Sequence, residues 1–473
     1  MLKLTDLTVS AGSTELVHPL SFTIEPGQRV GLIGESGSGK SLTALAIMGL
    51  LAPSLTVSGS IELDGTEIVG LRDRQMRPLR GTKVAMIFQE PMSALDPLMT
   101  IEKQLAYAGA TRDALADVDL DPALARRYPH QLSGGQRQRV MIAMAMAREP
   151  ELLICDEPTT ALDATTQDGV LSLIERLAEE HGTALLFISH DLRVVTRMCP
   201  EVLVLEKGRL VEHGPTEQIL SAPQHEYTRR LVAASLPGAP AAPGEKGNPV
   251  IALDGVTKTF AGTAALTDVS LTVARGERLG LVGGSGSGKT TLLKLIAGLD
   301  SPTSGTVDVA GRVQMVFQDP AGSLNPRLPI WKSVREPAPR ATRADIARTL
   351  EEVGIPADAL DRYPHEFSGG QRQRISIARA LIGEPDILLA DEAVSALDVS
   401  VRATILELLN SLVEARGLTL VFVTHDLAVM RHLCSSIAVV SHGKLVDAGA
   451  TEDVLAHPTT DYTRRLIAAA ELS

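Results

Sequence analysis

Aromatic side chains are scarce in this chain of 473 residues, since phenylalanine, tryptophan and tyrosine together make up only 3% of it. Hydrophobic residues nevertheless account for 44% of the sequence, so aliphatic side chains must fill whatever cores the chain builds. A chain of this length is expected to contain two or more domains.

Three further shortages exclude broad classes of protein. The chain has three scattered cysteines, too few for a disulfide framework, which predicts a reducing compartment. No apolar run approaches the length of a membrane span, and the first residues lack the pattern of a signal peptide, so at a membrane other subunits would have to cross it. The net charge of −12 argues against a general nucleic-acid binder, and we expect no nucleic-acid partner.

Two glycine-rich segments fit the pattern G-x-x-x-x-G-K-[ST] of a phosphate-binding loop. Glycines let the backbone close around phosphates, the following helix contributes its N-terminal dipole, the lysine adds a charge and the hydroxyl can reach Mg²⁺. The alternative is an ordinary glycine-rich turn, which we disfavour because an apolar strand precedes each segment and an apolar helical run follows it. The candidate nucleotide-binding residues are Gly34, Glu35, Ser36, Gly37, Ser38, Gly39, Lys40 and Ser41, and then Gly283, Gly284, Ser285, Gly286, Ser287, Gly288, Lys289 and Thr290.

Most of the chain is one domain written twice. The two loops begin 249 residues apart, whereas Ser-Gly-Gly-Gln, Asp-Glu, His-Asp and Tyr-Thr-Arg-Arg-Leu all recur 235 residues apart. We therefore predict a first domain over residues 1–234, a linker over 235–249 rich in proline, alanine and glycine, and a second domain over 250–473. An ordered surface loop is the alternative to the linker.

Each copy is predicted to be an α/β domain with a mostly parallel sheet. Continuous apolar runs at residues 29–34, 152–156 and 184–189 are typical of buried parallel strands, and segments such as 167–180 have helical spacing between them. Functional groups then belong at the carboxyl ends of the strands.

Carboxylates follow the second apolar run of each copy. Asp156 and Asp391 are candidates to hold Mg²⁺, and Glu157 and Glu392 are candidates to polarise an attacking water. An acidic turn after a strand is the alternative, and the phosphate loop upstream in both copies makes it unattractive.

A serine followed by two glycines and a glutamine precedes a predicted helix in each copy, over residues 137–147 and 372–382. Such a segment is either a further anion site or a plain capped helix start. The candidate residues are Ser133, Gly134, Gly135 and Gln136, and Ser368, Gly369, Gly370 and Gln371.

The order of these motifs resembles the ATP-binding subunits of ABC transporters over essentially the whole chain. The resemblance implies two tandem nucleotide-binding domains, each with an α/β core and a helical subdomain, and two ATP molecules bound with Mg²⁺, each between the phosphate loop of one copy and the Ser-Gly-Gly-Gln of the other. It further implies roles for residues at matching positions: Gln89 and Gln318 as Mg²⁺- and water-sensing glutamines, Asp163 and Asp398 in a coupling loop, and His190 and His425 as γ-phosphate switches.

Finer motifs resemble the dipeptide, oligopeptide and nickel importer branch, notably residues 88–97, 317–326 and the Arg-Tyr-Pro-His segments before each Ser-Gly-Gly-Gln. The resemblance implies an ATP-hydrolysing subunit at the cytoplasmic face of the cell membrane, two multi-span permease subunits as partners and, indirectly, an extracytoplasmic solute-binding protein.

Two departures from the family are visible. Phe260 stands where the family stacks adenine, but Ala11 occupies that position in the first copy. Some members of this branch carry a cysteine-rich extension after the tail of the first copy, and because the linker stands in its place here, we expect no iron–sulfur cluster. The competing interpretation is a soluble tandem ABC ATPase acting on ribosomes or DNA, which the short linker and the lack of a cysteine cluster disfavour.

Overall fold

The computed structural model describes residues 1–89, 94–159, 162–235, 247–394, 397, 399–424 and 426–471. Contacts divide the chain into two compact units, the first including residues 1–162 and 166–235 and the second including 247–471. The last helix of the first unit ends at Ser235, and the first strand of the second unit begins at Pro249. The predicted linker lies between them, and its exact boundaries stay a prediction.

The first unit has the following elements. Its strands are β1 (Leu2–Ala11), β2 (Thr14–Ile24), β3 (Arg29–Ile33), β4 (Leu55–Leu63), β5 (Thr66–Glu67), β6 (Val84–Ile87), β7 (Leu152–Asp156), β8 (Ala184–Ser189), β9 (Glu201–Glu206) and β10 (Arg209–Pro215). Its helices are α1 (Lys40–Ile47), α2 (Asp73–Met76), α3 (Ile101–Ala108), α4 (Ala114–Asp117), α5 (Gly134–Met146), α6 (Ala164–His181), α7 (Leu192–Met198), α8 (Thr216–Ser221) and α9 (Glu226–Ser235), with 3₁₀ turns at Pro122–Arg126 and Pro129–Gln131.

The second unit has a similar order, but its described residues contain no counterpart of β5 or α2, and a short helix without a counterpart among the elements given above follows β15. Its strands are β11 (Pro249–Phe260), β12 (Thr263–Ala274), β13 (Arg278–Val282), β14 (Ser304–Val309), β15 (Val313–Val316), β16 (Ile387–Asp391), β17 (Thr419–Val423), β18 (Ser436–Ser441) and β19 (Lys444–Ala450). Its helices are α10 (Lys289–Ile296), α11 (Pro320–Ser323), α12 (Ile330–Arg335), α13 (Arg343–Glu352), α14 (Gly369–Leu381), α15 (Val399–Arg416), α16 (Leu427–Leu433), α17 (Thr451–Ala456) and α18 (Asp461–Glu471), with 3₁₀ turns at Ala357–Asp361 and Pro364–Glu366.

The predicted parallel sheet is confirmed in both units. Across the described residues of the first unit, the strand order is β10-β9-β3-β8-β7-β6, and the second unit has β19-β18-β13-β17-β16-β15. Strand β3 pairs in parallel with β8 and β9, and β7 pairs in parallel with β6 and β8. All residues of β7 and β8 are buried, which explains their continuous apolar sequence.

A separate antiparallel sheet precedes each parallel one and was not predicted. In the first unit β1 pairs with β2 and β4, and in the second β11 pairs with β12 and β14. Each antiparallel sheet packs together with the first helix and the parallel sheet of its unit. Aliphatic residues of β1, α1 and β3 share one buried cluster, and those of β11, α10 and β13 share another.

Tight hairpins at Lys207-Gly208 and His442-Gly443 join β9 to β10 and β18 to β19. Lys207 has a φ of 47° and Gly208 one of 79°, the left-handed pair that a tight two-residue hairpin turn requires. The Gly208 N–H donates to the carbonyl oxygen of Ser38 at 3.0 Å, so this turn is hydrogen-bonded directly to the phosphate loop.

Aliphatic side chains make up most of the cores, as the low aromatic content predicted. Among the described residues, the largest fully buried side chains are the two aromatic rings of Phe187 and Phe422. Cys155, Cys199 and Cys434 are buried free thiols, and burial raises the pKa of each. Across the described ranges, no helix combines the length and apolar character that crossing a membrane requires.

Candidate active site

The lysine of each phosphate loop is buried and points back into its own loop. Lys40 Nζ donates to the carbonyl oxygens of Gly34 at 2.6 Å and Glu35 at 2.9 Å. Lys289 Nζ repeats this, donating to Gly283 at 2.7 Å and Gly284 at 2.9 Å. Burial lowers the pKa of Lys289, although the charge of nearby Glu392 works in the opposite direction.

The loop glycines stand where a side chain is excluded. A Cβ on Gly34 would lie 2.2 Å from the carbonyl oxygen of Leu205. Gly39, at the N-terminus of α1, has a φ of 100°, and its counterpart Gly288 has one of 110°. The loop therefore wraps closely over the end of the sheet and delivers the lysine as the first residue of the helix.

A hydroxyl and a buried carboxylate meet directly below each loop. Ser41 Oγ donates to Asp156 Oδ1 at 3.1 Å, and the Thr290 hydroxyl bonds to Asp391. Burial raises the pKa of each aspartate above the ordinary value for this side chain. The hydrogen bond from the serine or threonine hydroxyl and the positive charge of the loop lysine act in the opposite direction.

This pair of groups fits a Mg²⁺ ion. Hydroxyl and carboxylate oxygens are its preferred ligands, and it commonly takes one or two from protein and the rest from phosphates and water. A cation would also offset the burial of the carboxylate charge. Within the described residues, no group of three or more histidine, cysteine, aspartate or glutamate side chains is placed to hold a metal ion.

The carboxylate of Glu157 joins two other predicted residues. Its Oε2 accepts from Gln89 Nε2 at 3.0 Å, and its Oε1 lies 3.2 Å from His190 Nδ1. In the second unit Glu392 Oε2 accepts from Gln318 Nε2 at 2.8 Å. His425, predicted as the second histidine, lies outside the described residues.

Both glutamates occupy an unusual backbone conformation. Glu157 has a φ of 48° and Glu392 one of 44°, the left-handed region that non-glycine residues rarely adopt. Their N–H groups donate to carbonyls of the adjacent strand, from Glu157 to Ile188 at 2.9 Å and from Glu392 to Val423 at 3.0 Å. This conformation is not confined to the site, because the equivalent glutamates Glu149 and Glu384 also adopt it, with φ values of 52° and 48°.

The Ser-Gly-Gly-Gln segments cap long helices, as predicted, although α5 and α14 begin at the first glycine, three residues earlier than expected. Ser133 Oγ accepts from the Gln136 N–H at 3.3 Å, and Gln136 Oε1 accepts from the Ser133 N–H at 3.0 Å. Ser368 and Gln371 form the same reciprocal pair. Mutual capping accounts for the Ser-x-x-Gln spacing.

The second glycine of each segment lies against the next long helix. A Cβ on Gly135 would come within 2.5 Å of the Thr166 side chain, and one on Gly370 within 2.4 Å of that of Val401. Close helix packing therefore accounts for the second glycine without a ligand, whereas Gly134 and Gly369 have no such close contact. A role of these segments in anion binding stays a prediction.

The remaining predicted residues lie at strand and helix ends. Asp163 is half-buried just before α6, and its counterpart Asp398 lies outside the described residues. Phe260 ends β11 opposite Thr263, as Ala11 ends β1 opposite Thr14, so the two positions are structurally equivalent. The Phe260 ring is 48% exposed, with Lys258 Nζ 4.9 Å from its centroid.

Sequence reasoning missed two tyrosines that contact the phosphate loops. The Tyr227 hydroxyl accepts from the Glu35 N–H at 2.8 Å, and the Tyr462 hydroxyl accepts from the Gly284 N–H at 2.6 Å. The signal was present, because Tyr-Thr-Arg-Arg-Leu recurs in both tails, but nothing local in the sequence connects it to a loop about 190 residues upstream.

Comparison with known proteins agrees with this geometry. The family model described as ABC transporter matches residues 17–160 and 266–395, once in each unit. The matches begin within β2 and β12 and extend past the Asp-Glu pairs.

Relatives of known name cover almost the whole chain. The peptidoglycan transport ATP-binding protein YejF of Agrobacterium fabrum is 42% identical, over 99% of this chain and 96% of its own length. The oligopeptide transport ATP-binding protein OppD of Mycobacterium tuberculosis is 37% identical, over 99% and 98%. The glutathione import ATP-binding protein GsiA of Escherichia coli K12 is 40% identical, over 96% and 86%.

Solved structures share the fold at lower identity. The archaeal ribosome recycling factor aABCE1 matches 96% of this chain and 90% of its own with a TM-score of 0.69 at 23% identity. A structure named RNase-L Inhibitor matches 98% and 92% with a TM-score of 0.70 at 22% identity. These likenesses establish the tandem α/β fold and nothing about function.

Proposed function

Since this chain belongs to the ABC transporter family and is an ATPase with two ATP-binding domains, we propose that it is the energy-coupling subunit of an importer for peptides or peptide-containing solutes. The observation that carries the ATPase chemistry is the carboxylate of Glu157, which is held between Gln89 and His190. Its counterpart Glu392 has the same glutamine contact.

The solute class rests on the names of the relatives. Peptidoglycan, oligopeptide and glutathione transport appear in three names at 37–42% identity. These solutes differ in size but share peptide linkages. An importer for di- or oligopeptides, or for a similar small peptide-containing molecule, is therefore the narrowest class that includes all three.

We assign the binding role to the loops and the aspartates. The loop N–H groups and the N-terminus of α1 would bind the polyphosphate, and Lys40 is already turned towards the loop interior. Ser41 and Asp156 would hold Mg²⁺, with Thr290 and Asp391 in the second unit. When bound, Mg²⁺ neutralises charge on the phosphates and orients them.

We assign the proton-transfer role to Glu157 and Glu392. The glutamine amide that donates to each carboxylate fixes its direction, and a carboxylate held in this way can act as the base that accepts a proton from an attacking water. His190 lies against the Glu157 carboxylate and can hold that side chain in place or contact a terminal phosphate. Gln89 connects this carboxylate to the segment after β6, where movement can report the state of the site.

The partners we propose are two multi-span permease subunits, with a solute-binding protein outside the membrane acting through them. The chain would then work as a peripheral subunit on the cytoplasmic face of the cell membrane. No described helix can cross a membrane, so a transport role requires such partners.

Fractionation of cells that express a tagged chain tests the proposal. We expect the chain to sediment with membranes, to be released by alkaline carbonate and to co-purify in mild detergent with two multi-span proteins. Purified chain should hydrolyse MgATP, and the paired Lys40→Ala and Lys289→Ala variant should not. Co-sedimentation with ribosomes or DNA in place of membranes would contradict the importer proposal and favour the soluble alternative.

A further inference from the structure

One peptide unit in each phosphate loop is held at both of its ends. In the first unit it joins Gly34 to Glu35. Its carbonyl oxygen accepts from Lys40 Nζ at 2.6 Å, and its N–H donates to the Tyr227 hydroxyl at 2.8 Å. The orientation of this peptide plane therefore sets the position of a lysine acceptor, and the tyrosine holds the plane from the opposite edge.

The second unit repeats the arrangement with a different sequence in the loop. The carbonyl oxygen of Gly283 accepts from Lys289 Nζ at 2.7 Å, and the N–H of Gly284 donates to the Tyr462 hydroxyl at 2.6 Å. The loop position is a glutamate in one copy and a glycine in the other, so the contact does not depend on that side chain. Burial raises the pKa of Tyr462 further above its ordinary value, and its hydroxyl is neutral at physiological pH with or without this shift.

The tyrosine is fixed in place by the anchoring of its helix. Tyr227 lies in the first turn of α9 and is only 4% exposed, and Leu231 one turn later is buried in the same core. Glu212 on β10 accepts from the N–H groups of Gln224 at 2.7 Å and His225 at 2.9 Å, just before the helix. The ring is thus held by the core and the hairpin, and only its hydroxyl reaches the loop.

We propose that Tyr227 and Tyr462 are positioning residues for nucleotide binding, which act through the peptide plane of the loop on the phosphate-binding lysine. This inference rests on the proposed ATPase function of the loops. Without the hydroxyl, the loop N–H loses this acceptor, and the plane is free to rotate its carbonyl away from the lysine. The lysine retains its second acceptor, the carbonyl of Glu35 or Gly284, so it still reaches bound phosphates.

The expected effect therefore falls on affinity. One hydrogen bond of this kind corresponds to roughly a three- to tenfold change in an equilibrium constant. The paired Tyr227→Phe and Tyr462→Phe variant should raise KM for MgATP by about that factor and leave kcat within about twofold of the parent. A phenylalanine ring fills the same buried space, so the fold should be retained.

A crossover experiment isolates the two sites. Each Tyr→Phe change is combined with Lys289→Ala, which leaves the Lys40 loop intact, or with Lys40→Ala, which leaves the Lys289 loop intact. Binding of a fluorescent methylanthraniloyl derivative of ATP is titrated against each variant. We expect Tyr227→Phe to weaken binding only in the Lys289→Ala background, and Tyr462→Phe only in the Lys40→Ala background.

Two control variants distinguish an effect of the lost tyrosine hydroxyl from an effect of weaker packing of the C-terminal helix of the unit. Tyr107→Phe removes a hydroxyl from an exposed ring on α3 and should change nothing. Leu231→Ala loosens α9 but keeps the hydroxyl of Tyr227, and should lower Tm more than Tyr227→Phe does while lowering affinity less.

Three results would overturn the proposal: unchanged KM in the paired variant, equal loss of binding in both backgrounds, or affinity that follows Tm across Leu231→Ala and Tyr227→Phe. If the parent itself hydrolyses no ATP, the proposed function fails and this inference with it. If the parent hydrolyses ATP and the tyrosine variants match it, only this inference fails.

Discussion

Replacing Glu157 and Glu392 by glutamine tests the assignment of the general base. The change exchanges one carboxylate oxygen for an amide nitrogen and keeps the shape of the side chain. In the first unit the amide oxygen can keep the contact with Gln89 Nε2, now 3.0 Å long, while the new NH₂ group faces His190 Nδ1, which can accept from it. The local packing should therefore survive, and the change acts on the chemistry.

The size of the effect follows from the loss of proton transfer. General-base catalysis contributes roughly 10²- to 10⁴-fold to a rate, and a 10²-fold loss corresponds to about 2.7 kcal/mol in the barrier. We expect the double variant to hydrolyse ATP at least about 10²-fold more slowly. Binding of ATP should be equal or tighter, because a negative charge next to the phosphates is removed.

Release of phosphate by the purified chain measures the first expectation, and titration with fluorescent ATP measures the second. Glu102→Gln, an exposed carboxylate in the first turn of α3, is the matched control and should behave as the parent. Parental hydrolysis by the double variant would refute the assignment. So would a variant that loses affinity in place of turnover, since that result would make the carboxylate a binding group.

Three further predictions concern single positions. Burial raises the pKa of Asp156 in the fold, so its ionisation lowers the stability of the nucleotide-free protein as the pH rises through the unfolded-state pKa, and the loss is complete above the folded-state pKa. Asp156→Asn should therefore raise Tm at pH 7 and less so at about pH 4, and an unchanged or lower Tm at pH 7 would contradict this. Phe260 offers an aromatic ring for adenine to stack on, whereas Ala11 does not, and the lost stacking should cost about 1 kcal/mol of binding free energy. The first site should therefore bind ATP a few-fold to tenfold more weakly and discriminate less against GTP. Equal affinities and equal base preference in the Lys40→Ala and Lys289→Ala variants, which each retain one intact loop, would contradict this prediction. A Cβ on Gly208 would lie 2.3 Å from a backbone oxygen, whereas one on Gly65 would meet nothing within 4 Å. Gly208→Ala should therefore lower the free energy of unfolding by roughly 1–3 kcal/mol more than Gly65→Ala does, which denaturant titration can measure.

The sequence was sufficient to predict the parallel sheets and the groups at their carboxyl ends. Buried parallel strands are apolar throughout, so β3, β7 and β8 were recognisable as uninterrupted runs. A strand that ends in Asp156-Glu157 then places both carboxylates at the sheet edge where the phosphate loop emerges. This reasoning needs only local pattern and the handedness of α/β connections.

The antiparallel sheets and the tyrosine contacts were beyond the same reasoning. Strand β1 alternates buried and exposed residues irregularly, with register shifts in both of its pairings, so its period is blurred. The contact of Tyr227 with the phosphate loop depends on how far a helix at the end of the unit reaches back across the sheet. No local propensity encodes such a distance, because tertiary packing decides it.

Comparison of the two copies suggests which parts of an ATP site tolerate divergence. The interactions around the phosphate loop are the same in both copies: each lysine donates to two loop carbonyls, each tyrosine accepts from one loop N–H, and each glutamine side chain donates to the glutamate carboxylate. The aromatic ring at the position of Phe260 is absent from the first copy. Phosphate contacts must be exact because charge is transferred there, whereas base stacking contributes affinity that other contacts can replace. Fusion of the two copies in one chain fixes their ratio at one to one, so each copy can diverge in its contacts to the base while the hydrolytic geometry of both is retained.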